Sequence, residues 1–252
     1  MIAITGATGQ LGHYVIESLM KTVPASQIVA IVRNPAKAQA LTAQGITVRQ
    51  ADYGDEAALT SALQGVEKLL LISSSEVGQR APQHRNVINA AKAAGVKFIA
   101  YTSLLHADKS PLGLADEHIE TEKMLADSGI VYTLLRNGWY SENYLASAPA
   151  ALEHGVFIGA AGDSAWTLTQ LAAELTKQSG KQVTYQNLSE ADFAAALKSV
   201  GLPDGLADML ADSDVGASKG GLFDNSKTLS KLIGRPTTTL AESVSHLFNV
   251  NN

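Results

Sequence analysis

Residues 2–12 read IAITGATGQLG, a short apolar run followed at once by glycines at positions 6, 9 and 12. The apolar run predicts a strand, and the spacing of Tyr14, Val15 and Leu19 behind the glycines predicts a helix. A strand-to-helix turn this tight needs residues that tolerate positive φ, and its backbone N–H groups are open to a bound anion. The stretch therefore predicts a βαβ unit whose turn holds the pyrophosphate of a dinucleotide, the alternative being an ordinary turn with incidental glycines.

Short apolar runs recur through the first half of the chain and alternate with segments of helical spacing. The predicted strands are Ile2–Thr5, Ile28–Val32, Ile46–Arg49, Lys68–Ile72, Lys97–Thr102 and Val131–Leu135. Apolar strands joined by helices are typical of a parallel sheet that is buried on both faces. Because such crossovers are right-handed, the predicted fold class is α/β, with a Rossmann-like, doubly wound parallel sheet.

The strand–helix alternation stops after Arg136, which predicts a dinucleotide-binding domain over 1–136 and a smaller domain over 137–252. We expect the smaller domain to be mostly helical and to cover the carboxyl ends of the strands, where open α/β sheets bind ligands. Its predicted elements are a helix over Leu171–Lys177 with capping-box spacing at Thr167 and Gln170, a short strand Val183–Gln186, a helix Ala191–Val200, and a last helix Ser226–Ile233 closed by Gly234.

Composition excludes several classes of function. The chain has 252 residues, 46% of them hydrophobic, and a formal net charge of −5, which argues against nucleic acid as a partner. It has no cysteine, which excludes thiol chemistry and is compatible with a reducing cytoplasm. No signal peptide and no apolar stretch of about 20 residues is found, so no membrane span is expected. The six histidines show no metal-binding spacing, so no metal is expected.

Arg33 follows the second predicted strand in the stretch IVAIVRNPAK at 28–37, 21 residues after Gly12. An Asp or Glu near this position would accept hydrogen bonds from the adenosine ribose 2′-hydroxyl. Arginine cannot accept, and its planar fork of donors suits a 2′-phosphate. Arg33 therefore predicts NADPH rather than NADH, the alternative being a solvated strand end. Pro35 is expected in the first turn of the helix that follows.

Two further polar sites follow predicted strands. Asp52, after the third strand, could accept from the adenine amino group or could serve as a turn or capping residue before the helix at Asp55. Ser73, Ser74 and Ser75 end the fourth strand, where small hydroxyl side chains could bond cofactor ribose or phosphate. The alternative for the serines is the polar start of a loop.

The acid–base pair of a typical carbonyl reductase is missing. None of the seven tyrosines is followed four residues on by lysine, the Tyr-x-x-x-Lys arrangement of short-chain dehydrogenases. His118 stands one helical turn before Glu122, which predicts an ordinary surface pair. A cofactor turn without an acid–base pair favours an acceptor that needs little help from the protein, or cofactor binding without turnover. Quinones are the leading acceptors, because aromatisation drives their reduction and solvent can supply protons.

Four stretches together carry a family resemblance: TGATGQLG at 5–12, VRNPAKAQAL at 32–41, QADYGD at 50–55 and SGIVYTLLRNGWYSEN at 128–143. The chain resembles the NmrA-like branch of atypical short-chain dehydrogenases over nearly its whole length, and within that branch its bacterial quinone-reducing members. The resemblance implies a Rossmann domain and a small C-terminal domain with NADPH between them, without a flavin. It also implies that the glycine turn wraps the phosphates, that Arg33 holds the 2′-phosphate and that the serines line the ribose and nicotinamide side.

The remaining residues implied by the resemblance lie at the two ends of the site. They are Gly6, Thr8, Gly9, Gln10, Leu11 and Gly12 in the glycine turn, and Asn137, Gly138, Trp139 and Tyr140, which would close over the nicotinamide and shape the quinone pocket. Trp and Tyr could stack on a flat ring there. The alternative is that Trp139 and Tyr140 belong to an interdomain core.

The chain departs from this branch in two places. Members that reduce lignan-type substrates carry a catalytic lysine 11 residues before the glycine that corresponds to Gly129, where this chain has His118. A proton-donor role for His118 is therefore only a hypothesis. The segment near 155–166 is shortened, because Gly162 is followed almost directly by Trp166. By this resemblance about thirty residues, the length of one helix and one strand, are missing there, either through a real deletion or because a segment is left out of this sequence.

The sequence thus predicts a cytoplasmic, NADPH-dependent quinone oxidoreductase that transfers two electrons as a hydride. The rival hypothesis is an NmrA-type redox sensor that binds NADP(H) and regulates a partner without turnover. A sugar-nucleotide reductase or epimerase is disfavoured by the missing Tyr-x-x-x-Lys. The sequence does not determine the oligomeric state or the physiological quinone.

Overall fold

The computed structural model describes residues 1–161 and 167–250. The chain divides into two compact units, the first formed by Met1–Ala107 with Asp116–Arg136 and the second by Asp108–Ala115 with the residues from Asn137 onwards. Among the described residues, no helix is both long and apolar enough to cross a membrane.

A six-stranded sheet forms the centre of the first unit. Its strands are β1 (Ile2–Ile4), β2 (Ile28–Val32), β3 (Thr47–Gln50), β4 (Lys68–Leu71), β5 (Phe98–Leu104) and β6 (Val131–Asn137). The spatial order is β3-β2-β1-β4-β5-β6, and Ile2 of β1 is in register with Ile28 on one side and with Lys68 on the other. This is the doubly wound order, whose direction of winding reverses between β1 and β4. The predicted fold class is confirmed, and the bounds of β2 are those that the sequence predicts.

Helices flank this sheet and complete two hydrophobic clusters. They are α1 (Gln10–Leu19), α2 (Gln39–Ala43), α3 (Glu56–Ala62), α4 (Arg80–Ala93) and α5 (Ala115–Ser128). Successive residues of β2 alternate between the clusters, because side chains along a strand point to opposite faces. Val29 and Ile31 belong to one cluster, and Ile28, Ala30 and Val32 belong to the other. The central strands are therefore buried on both faces, as the continuous apolar runs predict.

The prediction of burial on both faces is wrong for β6. Val131 and Leu135 are exposed. The strand lies at the edge of the sheet, where one neighbouring strand covers only part of its surface.

The second unit is mostly helical and contains one parallel strand pair. Its elements are α6 (Ser141–Leu145), α7 (Ala148–His154), β7 (Val156–Gly159), α8 (Leu168–Ser179), β8 (Thr184–Asn187), α9 (Glu190–Ser199), α10 (Asp204–Ser218), α11 (Thr228–Ile233) and α12 (Leu240–Val250). The predicted capping box of α8 is confirmed: Thr167 Oγ1 accepts from the Gln170 N–H, and the Gln170 side chain accepts from the Thr167 N–H. Gly162 and Trp166, where the sequence predicts a shortened segment, lie outside the described residues.

The prediction that Ser226–Ile233 is the last helix is wrong. It corresponds to α11, which ends at Gly234 as expected, but α12 follows it. Thr239 and Glu242 form the N-terminal cap of α12, with Thr239 Oγ1 accepting from the Glu242 N–H at 3.2 Å and Glu242 Oε2 accepting from the Thr239 N–H at 2.7 Å. This is the same capping spacing as at Thr167. The signal was present in the sequence, and Val244 of α12 is fully buried.

Candidate active site

The glycine turn joins β1 to α1 and brings them into close contact. Gly6 has φ +61°, in the left-handed region that favours glycine, and its carbonyl accepts from the Gly9 N–H at 2.9 Å. A Cβ on Gly12 would lie 2.4 Å from the Gly6 carbonyl oxygen and 2.7 Å from Ala7 Cα. Gly12 therefore lets α1 begin in close contact with the turn at Gly6 and Ala7.

A cavity of about 410 Å³, called here the strand-end cavity, opens where β1, β2, β3 and β4 reach their carboxyl ends. It lies at the edge where doubly wound sheets bind their ligands. Eight of the predicted cofactor residues line it: Gly6, Thr8, Gly9, Arg33, Asp52, Ser73, Ser74 and Ser75. Residues from four separate stretches of sequence thus meet in one site.

The other predicted cofactor residues lie elsewhere. Gln10 lines an adjoining hollow of about 270 Å³ beside α1, while Leu11 is half-buried and Gly12 is buried. Asn137, Gly138, Trp139 and Tyr140 belong to the second unit. The part that these seven residues play in cofactor binding stays a prediction.

Arg33 is 65% exposed at the end of β2, and its Nη1 donates to Glu76 Oε1 at 2.7 Å. The side chain is solvated, yet it lines the strand-end cavity and already binds a carboxylate there. Pro35 opens the short 3₁₀ helix Pro35–Ala38 as expected, and the Asn34 side chain caps it by accepting from the Ala36 N–H at 3.0 Å. The role of Arg33 toward a 2′-phosphate stays a prediction.

Lys37 is a cavity residue that sequence reasoning missed. It lies four residues after Arg33 and one turn into the segment that begins at Pro35. Helical spacing does not relate Lys37 to Arg33, because Asn34 between them is extended and the 3₁₀ helix begins only at Pro35. Arg33 and Lys37 make this end of the cavity suited to an anion.

Asp52 is a turn residue, which is one of the two interpretations predicted from the sequence. Its Oδ1 accepts from the Gly54 N–H at 2.7 Å, while Asp55 caps α3 by accepting from the Ala58 N–H at 2.9 Å. Asp52 also lines the strand-end cavity, so a contact with adenine stays a prediction.

The serine loop after β4 is held in place by side chains from other elements. The Ser73 N–H donates to Thr102 Oγ1 at 2.8 Å, and the Ser74 N–H donates to His84 Nε2 at 2.9 Å. The Ser74 carbonyl accepts from Arg80 Nε at 2.8 Å. Backbone groups that would otherwise need water are thereby satisfied within the protein. The loop is therefore fixed independently of a ligand.

His84 is the buried residue at the centre of this support. Because its Nε2 accepts from the Ser74 N–H, its proton is on Nδ1, which donates to Thr121 Oγ1 at 2.9 Å. Burial, assisted by the positive charge of Arg80, lowers the pKa of His84 to about 3. The imidazole is therefore neutral and remains an acceptor at physiological pH.

The prediction of a surface pair between His118 and Glu122 is wrong. His118 is only 5% exposed, and its Nδ1 lies 2.6 Å from the Tyr101 hydroxyl. Burial lowers its pKa to about 3. Glu122 instead accepts from Arg136 Nη2 at 2.6 Å and from Ser103 Oγ at 2.6 Å. The helix α5 turns His118 toward the sheet, which helical spacing alone did not indicate. A buried neutral imidazole does not favour the proton-donor hypothesis.

In the second unit, the last residue of β6 and the loop that follows it bring two predicted residues together. Asn137 Nδ2 donates to the Tyr140 hydroxyl at 3.0 Å. Tyr140 is 41% exposed and Trp139 is half-buried, and their interpretation stays a prediction.

The donor set of the strand-end cavity fits an NADP(H)-type dinucleotide. Gly6 and Gly9 carry no side chain where the turn lines the cavity before the N-terminus of α1, and Arg33 and Lys37 supply positive charge in the same cavity. Within residues 1–161 and 167–250, no group of three or more His, Asp or Glu side chains is arranged to hold a metal ion.

Comparison with known proteins agrees with this geometry. Residues 6–159 match a family of NAD(P)H-binding proteins. The chain is 87% identical to quinone oxidoreductase 2 of Escherichia coli, over all of both chains. That alignment has 286 positions, 34 more than this chain has residues, and the shortening predicted near 155–166 stays a prediction.

Two further similarities concern the fold and the branch. A crystal structure of the NADPH-dependent quinone oxidoreductase QOR2 from E. coli, complexed with NADPH, matches with a TM-score of 0.93 and 86% identity over 98% of this chain and 100% of that one. An NmrA-like family domain-containing oxidoreductase of Aspergillus flavus is 37% identical over 148 residues, 56% of this chain and 48% of that protein. The chain therefore belongs to the NAD(P)H-binding family, in the NmrA-like branch of atypical short-chain dehydrogenases.

Proposed function

We propose that this protein is an NADPH-dependent quinone oxidoreductase that carries out two-electron reduction. The observation that carries the proposal is the strand-end cavity, where the glycine turn, the serine loop and the cations Arg33 and Lys37 meet. The E. coli relative, with 87% identity over the whole chain, is named a quinone oxidoreductase, and the matching E. coli crystal structure contains NADPH.

Different residues of the strand-end cavity bind the two ends of the dinucleotide. The turn at Gly6 and Gly9 carries no side chains and so lets the phosphates approach the N-terminus of α1, and Arg33 binds the 2′-phosphate that distinguishes NADPH. The serine loop lies on the ribose and nicotinamide side. Its fixed backbone orients the ligand without a rearrangement of the loop, which lowers the entropic cost of binding.

Bound NADPH supplies the hydride, and the quinone takes up that hydride and one proton to become a hydroquinone. The protein needs no strong acid for this, because the reduced ring is aromatic and water can deliver the proton. The buried His84, which supports the serine loop, and the buried His118 are neutral, with pKa values lowered to about 3, which agrees with a structural rather than a proton-donating role. Asn137 to Tyr140 would shape the quinone side, where an exposed Tyr140 ring could stack on a flat substrate.

A small-molecule quinone is the proposed partner, and the cytoplasm is the proposed location. The chain contains no cysteine, which suits a reducing compartment. Its formal net charge of −5 does not favour nucleic acid as a partner.

The test is turnover by purified protein. We expect loss of NADPH absorbance when a simple benzoquinone is added, with one NADPH consumed per quinone reduced. The control is the same protein with NADPH and no quinone. Protein that binds NADPH in a fluorescence titration but shows no quinone-dependent oxidation would contradict the enzyme and favour the NADP(H)-binding sensor.

A further inference from the structure

Arg33, which is predicted to recognise the 2′-phosphate, is already paired with the carboxylate of Glu76. Glu76 follows the serine loop after β4, 43 residues away from Arg33 in sequence, and its Oε1 lies 2.7 Å from Arg33 Nη1. Both side chains line the strand-end cavity. A carboxylate oxygen and a phosphate oxygen accept the same kind of hydrogen bond from a guanidinium. Glu76 and a 2′-phosphate are therefore alternative ligands for one donor.

Glu76 is held in this position by its neighbours. Its Oε2 accepts from Gln83 Nε2 at 2.7 Å, and its backbone N–H donates to Ser74 Oγ at 3.2 Å. The Ser74 hydroxyl in turn donates to Gln83 Oε1. These three residues form a closed ring of hydrogen bonds, and the backbone of Ser74 is itself fixed by His84 and Arg80. The carboxylate is therefore directed at Arg33 by a built support.

We infer that Glu76 weakens the preference of the site for NADPH by competing with the 2′-phosphate for Arg33. The inference rests on the proposed function, since it concerns how the same cavity binds NADPH. The acid that many NADH sites carry at the end of the second strand is absent there, and Glu76 brings a carboxylate to the same arginine from another loop. NADPH must place its phosphate on a guanidinium that already holds this carboxylate and must tolerate a like charge beside it, whereas NADH has no phosphate there and meets neither cost.

The expected effect is modest, because the pair is exposed. The Arg33 and Glu76 side chains are 65% and 45% exposed, and exposed ion pairs contribute little free energy. Removing the competing charge should tighten NADPH binding by about two- to fivefold, the change in Kd that such a pair can supply. The affinity for NADH should stay the same or fall.

The experiment measures the Kd of NADPH and of NADH directly, by nicotinamide fluorescence, for the wild type and for Glu76→Gln. The matched control is Glu120→Gln, which removes the same charge from an equally exposed pair, Glu120 with Arg85 at 2.8 Å, outside the cavity lining. We expect the ratio of the NADH Kd to the NADPH Kd to rise by about two- to fivefold in Glu76→Gln and to be unchanged in Glu120→Gln.

The outcomes separate this inference from the proposed function. An unchanged or lower ratio in Glu76→Gln, or an equal rise in Glu120→Gln, overturns the inference while the wild type still binds NADPH. A wild type that binds neither dinucleotide overturns the proposed function, and the inference falls with it.

Discussion

Replacing Gly12 by alanine should disrupt both the first unit and its cofactor cavity. The added Cβ would lie 2.4 Å from the Gly6 carbonyl oxygen, about 1 Å closer than the 3.4 Å at which ordinary contact begins. The atoms that it meets are backbone atoms of the turn at Gly6 and Ala7, so no side chain can rotate away. Overpacking of this kind costs about 3 kcal/mol, and alanine returns about 1 kcal/mol of helix propensity. The net loss is about 2 kcal/mol, or a fall in Tm of about 4–8 °C.

The same displacement should weaken cofactor binding, because Gly6 and Gly9 line the strand-end cavity. We expect the Kd for NADPH to rise by about tenfold, equivalent to about 1.4 kcal/mol. The assays are thermal unfolding by circular dichroism and a fluorescence titration with NADPH. Gly205→Ala is the matched control, since Gly205 also lies in the first turns of a helix, α10, and a Cβ there meets nothing within 4 Å. That variant should keep or slightly raise the Tm. A Gly12→Ala protein with wild-type Tm and NADPH affinity would refute the packing argument.

Three more variants test the site. Arg33→Asp should raise the KM for NADPH by about tenfold or more, because a charge-assisted contact is lost, and should change the KM for NADH little; equal effects on both cofactors would mean that Arg33 is only a solvated strand end. His84 has a folded pKa of about 3, below its ordinary 6.5, so the unfolded state binds more protons as the pH falls and stability drops over that window. Urea titrations should therefore show that the free energy of unfolding of His84→Asn falls less steeply between pH 6 and 4 than that of the wild type. The difference between the two slopes should be about 1.4 kcal/mol per pH unit, and equal slopes would contradict a lowered pKa of His84. His118→Gln should keep its kcat with benzoquinone within about twofold, whereas a loss of about a hundredfold in a folded protein would restore the proton-donor hypothesis.

Local signals predicted the sheet and much of the site. The strand β2 is a continuous apolar run, and all of its residues are buried because side chains on both faces belong to hydrophobic clusters. The glycine turn was also predictable, since positive φ at Gly6 and the close approach at Gly12 are backbone requirements that few other residues meet. The capping box at Thr167 is likewise a local feature, complete within four residues.

The features that sequence reasoning missed depend on contacts between distant segments. His118 and Glu122 are one helical turn apart, but only the packing of α5 decides that His118 is buried beside Tyr101 while Glu122 meets Arg136. Gln83 likewise has no motif around it, and its place in the cavity comes from its position in α4. Helical spacing gives relative orientation along one helix and does not say which face meets the sheet.

Cofactor preference in this fold therefore depends on more than the residue that ends the second strand. Arg33 by itself indicates NADPH, but the doubly wound order brings the ends of β2 and β4 to one edge, and the loop after β4 presents Glu76 to the same guanidinium. The two charges act in opposite directions on a 2′-phosphate, so the preference reflects their difference rather than the arginine alone. Gln83 and Ser74 hold the carboxylate in place, and that support comes from α4 and the serine loop. A change at any of these positions could shift the ratio of NADPH to NADH binding without touching Arg33.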